Sequence, residues 1–146
     1  MSRTRRPLLV GGLVNTGQGG SPTSPGVLSL NGNVTNRFTV TDTSSTISGK
    51  LHLGLFTRTF DVATNTELAM DANISGNLFS PPGLIKNGGG QLTFFSATNS
   101  YGGVTTVNDG VLYVVGFGSG TLLGNTNSGT VVNSNGQLRI ESFAVG

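Results

Sequence analysis

"GLIKNGGGQLTFFSATNSYGGVTTVNDGVLYV", residues 83 to 114, sets three consecutive glycines between short apolar runs and keeps interrupting those runs with Gly, Asn and Asp. Three readings compete: a loop that cradles phosphate, a low-complexity stretch, and one unit of a repeated β architecture. A phosphate loop needs Lys-Ser or Lys-Thr after its glycines and then a helix start. Here Gln91 follows Gly90 and opens the strand-like run "QLTFF". Glycines 88–90 therefore read as a corner, where the backbone bends or takes a positive φ. "GFGSGTLLGN" (116–125) misses the Gly-x-Gly-x-x-Gly spacing and opens no helix, so it reads as a loop between strands.

Gly, Thr, Ser and Asn fill 72 of the 146 positions, whereas Asp, Glu, Lys and Arg make up only 10%, so the surface is polar but weakly charged. Leu, Ile, Val and Phe supply 42 residues, enough for a core and above the level of disordered chains. The length suits one domain. The formal charge of +2 rests on Arg3, Arg5 and Arg6, and the remainder has no basic patch interleaved with aromatics, which argues against nucleic acid as a partner. The absence of cysteine excludes disulfides and thiolate metal sites. The start "MSRTRRPLLVGGLVNTGQGG" has a basic stretch before a short apolar one. It reads either as a secretory signal or as an irregular terminus. No run is long enough to span a bilayer as a helix.

Helical periodicity is missing along the chain, and short runs alternate apolar and polar with period two. The candidates are 27–30, 37–40, 50–54, 57–62, 67–70, 83–86, 91–95, 104–107, 111–115, 130–132 and 137–140, mostly separated by Gly, Asn, Asp or Pro. "TFDVATNTELAM" (59–70) lies without a gap over "GTVVNSNGQLRI" (129–140), so that Val62 falls on Val132, Leu68 on Leu138 and Met70 on Ile140. "GVTTVNDGVLYV" (103–114) has the same form with one turn residue fewer, and Leu112 and Val114 take the places of Leu138 and Ile140. An offset of 70 residues holds about three turns of a repeat architecture. One such unit cannot bury enough apolar surface to fold alone, but stacked units join their interiors and satisfy one another's backbone.

At residues 83 to 114 the chain resembles the autotransporter-associated β-strand repeat, or passenger-associated transport repeat, of bacterial autotransporter passenger domains. The residues that match its pattern are Gly83, Leu84, Lys86, Gly88, Gly90, Leu92, Asn99, Tyr101, Gly103, Thr105, Val107, Gly110 and Leu112. Phe94 stands where an aliphatic residue is usual and Asp109 replaces a small one. "ISGKLHLG" (47–54) and "ANISGN" (72–77) look like less regular rungs of the same kind. The resemblance implies a segment of a secreted or surface-exposed right-handed β-helical stalk, exported by type V secretion through a C-terminal outer-membrane β-barrel. That barrel is not in this chain, so a fragment or remnant of a longer passenger is expected.

Reactive constellations are sparse. His52, the single histidine, has no second histidine or cysteine to share a zinc ion, and an exposed strand position is expected for it. The six acids Asp42, Asp61, Glu67, Asp71, Asp109 and Glu141 are scattered. The nearest approach to a catalytic group is Asp61 with Arg58 and Lys50 on neighbouring rungs. Asn99 and Tyr101 could contact a sugar. The structural expectation is that the Asn99 amide holds a turn while Tyr101 packs over a rung edge and leaves its hydroxyl in water.

The fold expected is therefore all-β, a right-handed parallel β-helix of five or six rungs over residues 26–146, preceded by a poorly ordered segment at 1–25. A two-sheet sandwich is the rival fold; parallel pairing of 103–114 with 129–140 separates the two. The function expected is a non-catalytic stalk or adhesin-type passenger segment at the bacterial cell surface, without cofactor or metal. Its partners are the rest of the passenger and its translocator barrel, together with a surface glycan or further copies of itself. A glycan-binding or glycan-cleaving β-helical protein is the alternative.

Overall fold

A computed structural model describes residues 8–16, 26–41, 43–95, 98–117 and 121–143. The strands are β1 (Leu8–Val10), β2 (Gly12–Asn15), β3 (Leu28–Ser29), β4 (Val34–Arg37), β5 (Ser44–His52), β6 (Arg58–Val62), β7 (Glu67–Ser75), β8 (Leu84–Asn87), β9 (Gln91–Phe94), β10 (Thr105–Phe117) and β11 (Thr130–Phe143). All pairings between them are parallel, and the order β1-β4-β6-β8-β10-β9-β7-β5-β2, with β11 on β10 and β3 on β5, describes a coil. The protein is an all-β solenoid of about five turns.

Each turn runs along up to three faces. The first face stacks β1, β4, β6, β8 and the first halves of β10 and β11; the second stacks β2, the start of β5 and of β7, β9, and the second halves of β10 and β11. The third stacks β3 on the ends of β5 and β7, and a Thr98–Thr121 bridge continues it in later rungs. Alternation then sorts side chains. In β8, Leu84 and Lys86 are buried while Ile85 and Asn87 are partly exposed. Register turns inward positions into columns through the coil. One column runs Val34, Phe60, Lys86, Val107, Val132; a second runs Leu68, Leu92, Leu112, Leu138; a third runs Ile47, Met70, Phe94, Val114, Ile140. Phe60, Leu68, Leu92, Val107 and Leu112 have no exposed surface, each burial stabilising the fold by about 1.5–3 kcal/mol.

Residues 105–117 pair in parallel with 130–143, which excludes the sandwich. Several local expectations are corrected. The runs 104–107 and 111–115 are not separate strands: β10 passes through the corner at Gly110, whose φ of 68° lets the ladder continue around the bend. The strand expected at 37–40 lies at Val34–Arg37 instead, because the inward position 36 is filled by Asn36 and gives no apolar signal. Its carboxamide donates to Thr66 Oγ1 (3.3 Å) and Glu67 O (3.2 Å) and accepts from Ser45 Oγ (2.7 Å), so the burial is satisfied. The segment expected to lack order through residue 25 contains β1 and β2, which pair with β4 and β5; residues 1–7 and 17–25 lie outside the described residues.

Candidate functional site

The thirteen residues that match the repeat line the interior of the coil or turn its corners. Leu84, Lys86, Leu92, Val107 and Leu112 point inward, as alternation with their neighbours requires. Gly88, with φ of 77°, turns the corner after β8, and a Cβ there would lie 2.2 Å from Val62 O. Gly90 receives the N–H of Val111 on its carbonyl (3.1 Å) and donates to Val62 O (3.0 Å), so the corner is tied to the rungs on both sides. Gly83 and Gly103 do the same at the opposite corner. Arg58 N donates to Gly83 O (3.1 Å), and Gly103 N donates to Pro82 O (2.9 Å).

Asn99, expected to hold a local turn, joins three rungs. Its Oδ1 accepts the Ile74 N–H (2.9 Å), its Nδ2 donates to Leu122 O (2.7 Å), and its own N–H donates to Thr121 O (3.0 Å). Tyr101 corrects the expectation. Its ring is fully buried, and its hydroxyl shares a 2.7 Å hydrogen bond with Thr105 Oγ1 instead of reaching water. Burial raises the Tyr101 pKa to about 12, although the bond to Thr105 opposes the shift. Thr105 lies in the same repeat four residues on, and that spacing was the signal available in the sequence for an internal partner.

Lys86 is the residue whose environment sequence reasoning missed. It occupies the column between Phe60 and Val107 with no exposed surface. Its Nζ donates to three corner carbonyls, Asn87 O (2.8 Å), Gly88 O (2.5 Å) and Asp109 O (3.0 Å), so all three ammonium protons are used. Burial lowers its pKa to about 8; the charges of Asp109 and Asp61 hold it from falling further. The clue was its spacing of two from Leu84, which put it on the inward side. Arg58 is a second internal cation, with Nε donating to Leu53 O (2.7 Å) and a terminal nitrogen to Leu30 O (2.7 Å).

Among the described residues the reactive groups do not converge. Arg58 turns inward, whereas Asp61 pairs outside with Arg37 at 2.8 Å, so the imagined group of Asp61, Arg58 and Lys50 is not assembled. Glu67 accepts from Gln91 and Thr93 on the second face. Glu141 accepts the Tyr113 hydroxyl while the Arg139 guanidinium stacks 4.7 Å from that ring, and this bond raises the Tyr113 pKa. Asp109 accepts the N–H of Gly110. His52 is half-buried, and its Nδ1 accepts the Gly54 N–H at 3.0 Å. Asp42 lies outside the described residues. Among the described residues no three His, Asp, Glu or Cys side chains are placed to hold a metal ion.

The polar side chains Lys86 and Asn99 of the motif join one rung to the next and are satisfied within the coil. Residues 84–114 match the model of the passenger-associated transport repeat. No curated protein and no solved structure matches the chain. The chain thus carries a passenger-associated transport repeat within a parallel β-solenoid, and repeat and fold together fit a segment of an autotransporter passenger.

Proposed function

We propose that the protein is a non-catalytic structural segment of a secreted or surface-exposed passenger, a stalk of stacked rungs that spaces or presents other modules outside the cell. The observation that carries this reading is the match of residues 84–114 to the passenger-associated transport repeat, set in register within a coil that continues on both sides of it. The partners that go with this reading are the remainder of a longer passenger and a translocator barrel as its route to the surface. The scatter of the acids and the internal use of Lys86, Arg58 and Tyr101 support a structural role, since Lys86 and Arg58 hold backbone carbonyls and the Tyr101 hydroxyl is held by Thr105.

Export is tested by placing residues 26–146 ahead of a translocator barrel in a Gram-negative host and treating whole cells with protease. The reading predicts that the segment reaches the surface and is released only when the outside of the cell is treated. Retention in the periplasm, with a barrel that exports a control passenger, overturns it.

A further inference from the structure

Loop lengths around the corner between the third and first faces produce a trough. The connection from β7 to β8 covers 76–83 and that preceding β11 covers 124–129, whereas the rung between them crosses at 101–104. Two long loops therefore flank a short one. With rungs about 4.8 Å apart, the walls stand roughly 9–10 Å from each other. The result is an open cleft of about 270 Å³. Its floor is Gly102, which has no side chain, and Ser100.

The walls are held in place. Gly103 N donates to Pro82 O (2.9 Å), Ser128 Oγ to Gly102 O (2.6 Å) and Asn125 N to Tyr101 O (2.8 Å), so both long loops are tied to the short one, over the buried Tyr101 ring. Asn77 Oδ1 accepts the Phe79 and Ser80 N–H groups (2.8 and 3.1 Å) on one wall, and Asn125 Oδ1 accepts the Asn127 N–H (3.1 Å) on the other. Each asparagine thus uses its oxygen to shape its own loop, which leaves its NH₂ group as a donor. The Asn127 carboxamide adds both a donor and an acceptor, and Leu78 and Pro81 add apolar surface. Among the described residues no charged side chain and no aromatic ring lines the cleft, which disfavours anions and nucleobases.

We infer that this cleft is a binding site for one residue of a neutral glycan. A pyranose ring is thick enough to fill the gap between the walls, offers hydroxyls to the amides along its rim, and lays an apolar C–H face against Leu78 and Pro81. The preformed walls lower the ordering cost, but the small cleft limits the contact, so affinity for a single sugar is about millimolar. The inference rests on the loops alone and stands whether or not the chain is exported.

The test is saturation-transfer NMR on the full 146-residue chain with methyl glucosides, methyl galactosides and N-acetylglucosamine, each at about tenfold excess over the expected constant. N-acetylglycinamide serves as a peptide-like probe. At least one sugar is expected to receive saturation. Asn127→Ala should weaken binding of that sugar several-fold, and Ser100→Phe, which fills the floor from an exposed position, should abolish it. Circular dichroism must show both variants folded; if either is not, Leu78→Ala, a change at a largely exposed wall position, replaces it with the same expected loss. Saturation of none of the sugars, binding of the amide probe alone, or undiminished sugar binding in folded variants overturns the inference.

Discussion

Buried polar side chains decide much of the behaviour of single residues in this coil. Asn99 satisfies a backbone N–H on one rung and a carbonyl on another. Asn99→Ala leaves both without partners, and a loss of about 2–4 kcal/mol in unfolding free energy is expected in urea titration. Lys86 and Tyr101 oppose each other in alkaline solution. Between pH of about 8 and 10.5 the unfolded chain holds a proton on Lys86 that the folded chain has released, so stability rises with pH. Between pH 10 and about 12 the folded chain keeps the Tyr101 proton that the unfolded chain has lost, so stability falls as pH rises. A tenfold difference in proton affinity between the folded and unfolded chain is worth about 1.4 kcal/mol. Urea midpoints across this range should show the rise flattened in Lys86→Met and the fall reduced in Tyr101→Phe relative to the parent; a parent curve that falls throughout contradicts the assignment for Lys86. Legibility differed among these residues. The inward position of Lys86 followed from its spacing with Leu84, but the three carbonyls that receive it come from corners whose geometry no local pattern encodes.

At the scale of the element, strands on the second face were the easiest to read and corners the hardest. Leu68, Leu92, Leu112 and Leu138 share one column, at spacings of 24, 20 and 26 residues, so the three turns inferred from the 70-residue offset are present. The first strand of the same comparison is displaced by two residues. Phe60, not Val62, shares the column of Val132, because the step from Phe60 to Leu68 is eight residues and that from Val132 to Leu138 is six. A shift by two preserves the buried face, so apolar alternation could not reveal it. β4 was misplaced for a related reason, since Asn36 fills an inward position with polar atoms. Corners themselves are testable. At Gly110 the φ is 68° and a Cβ would lie 2.4 Å from both Gly88 O and Gly90 O. Gly110→Ala should cost about 3 kcal/mol or more by thermal and urea unfolding, whereas Val111→Ala, on the outer side of the next strand, should cost less than about 1 kcal/mol.

Across the whole molecule, stability is the sum of rungs and of the interfaces between them. Interior rungs have a neighbour on both sides, whereas β11 is paired only with β10 among the described residues. Leu112→Ala should therefore destabilise the fold by about 2–5 kcal/mol, and Ile140→Ala, in the parallel column but half exposed, by appreciably less. Hydrogen exchange should follow the same gradient, with amides of β8 to β10 protected longer than those of β11. All of this depends on coils stacked in parallel and in register. The chain contains no cysteine, so paired substitutions report that register cleanly. Thr106 lies opposite Val131, and Val111 opposite Gln137, all on the outer side. Adjacent strands hold such partners at a separation a disulfide can bridge. Under mild oxidation, the double variants Thr106→Cys with Val131→Cys, and Val111→Cys with Gln137→Cys, should both close an intramolecular disulfide, while Thr106→Cys with Gln137→Cys should not. Closure of the last pair in place of the first two would mean antiparallel strands and would contradict the solenoid.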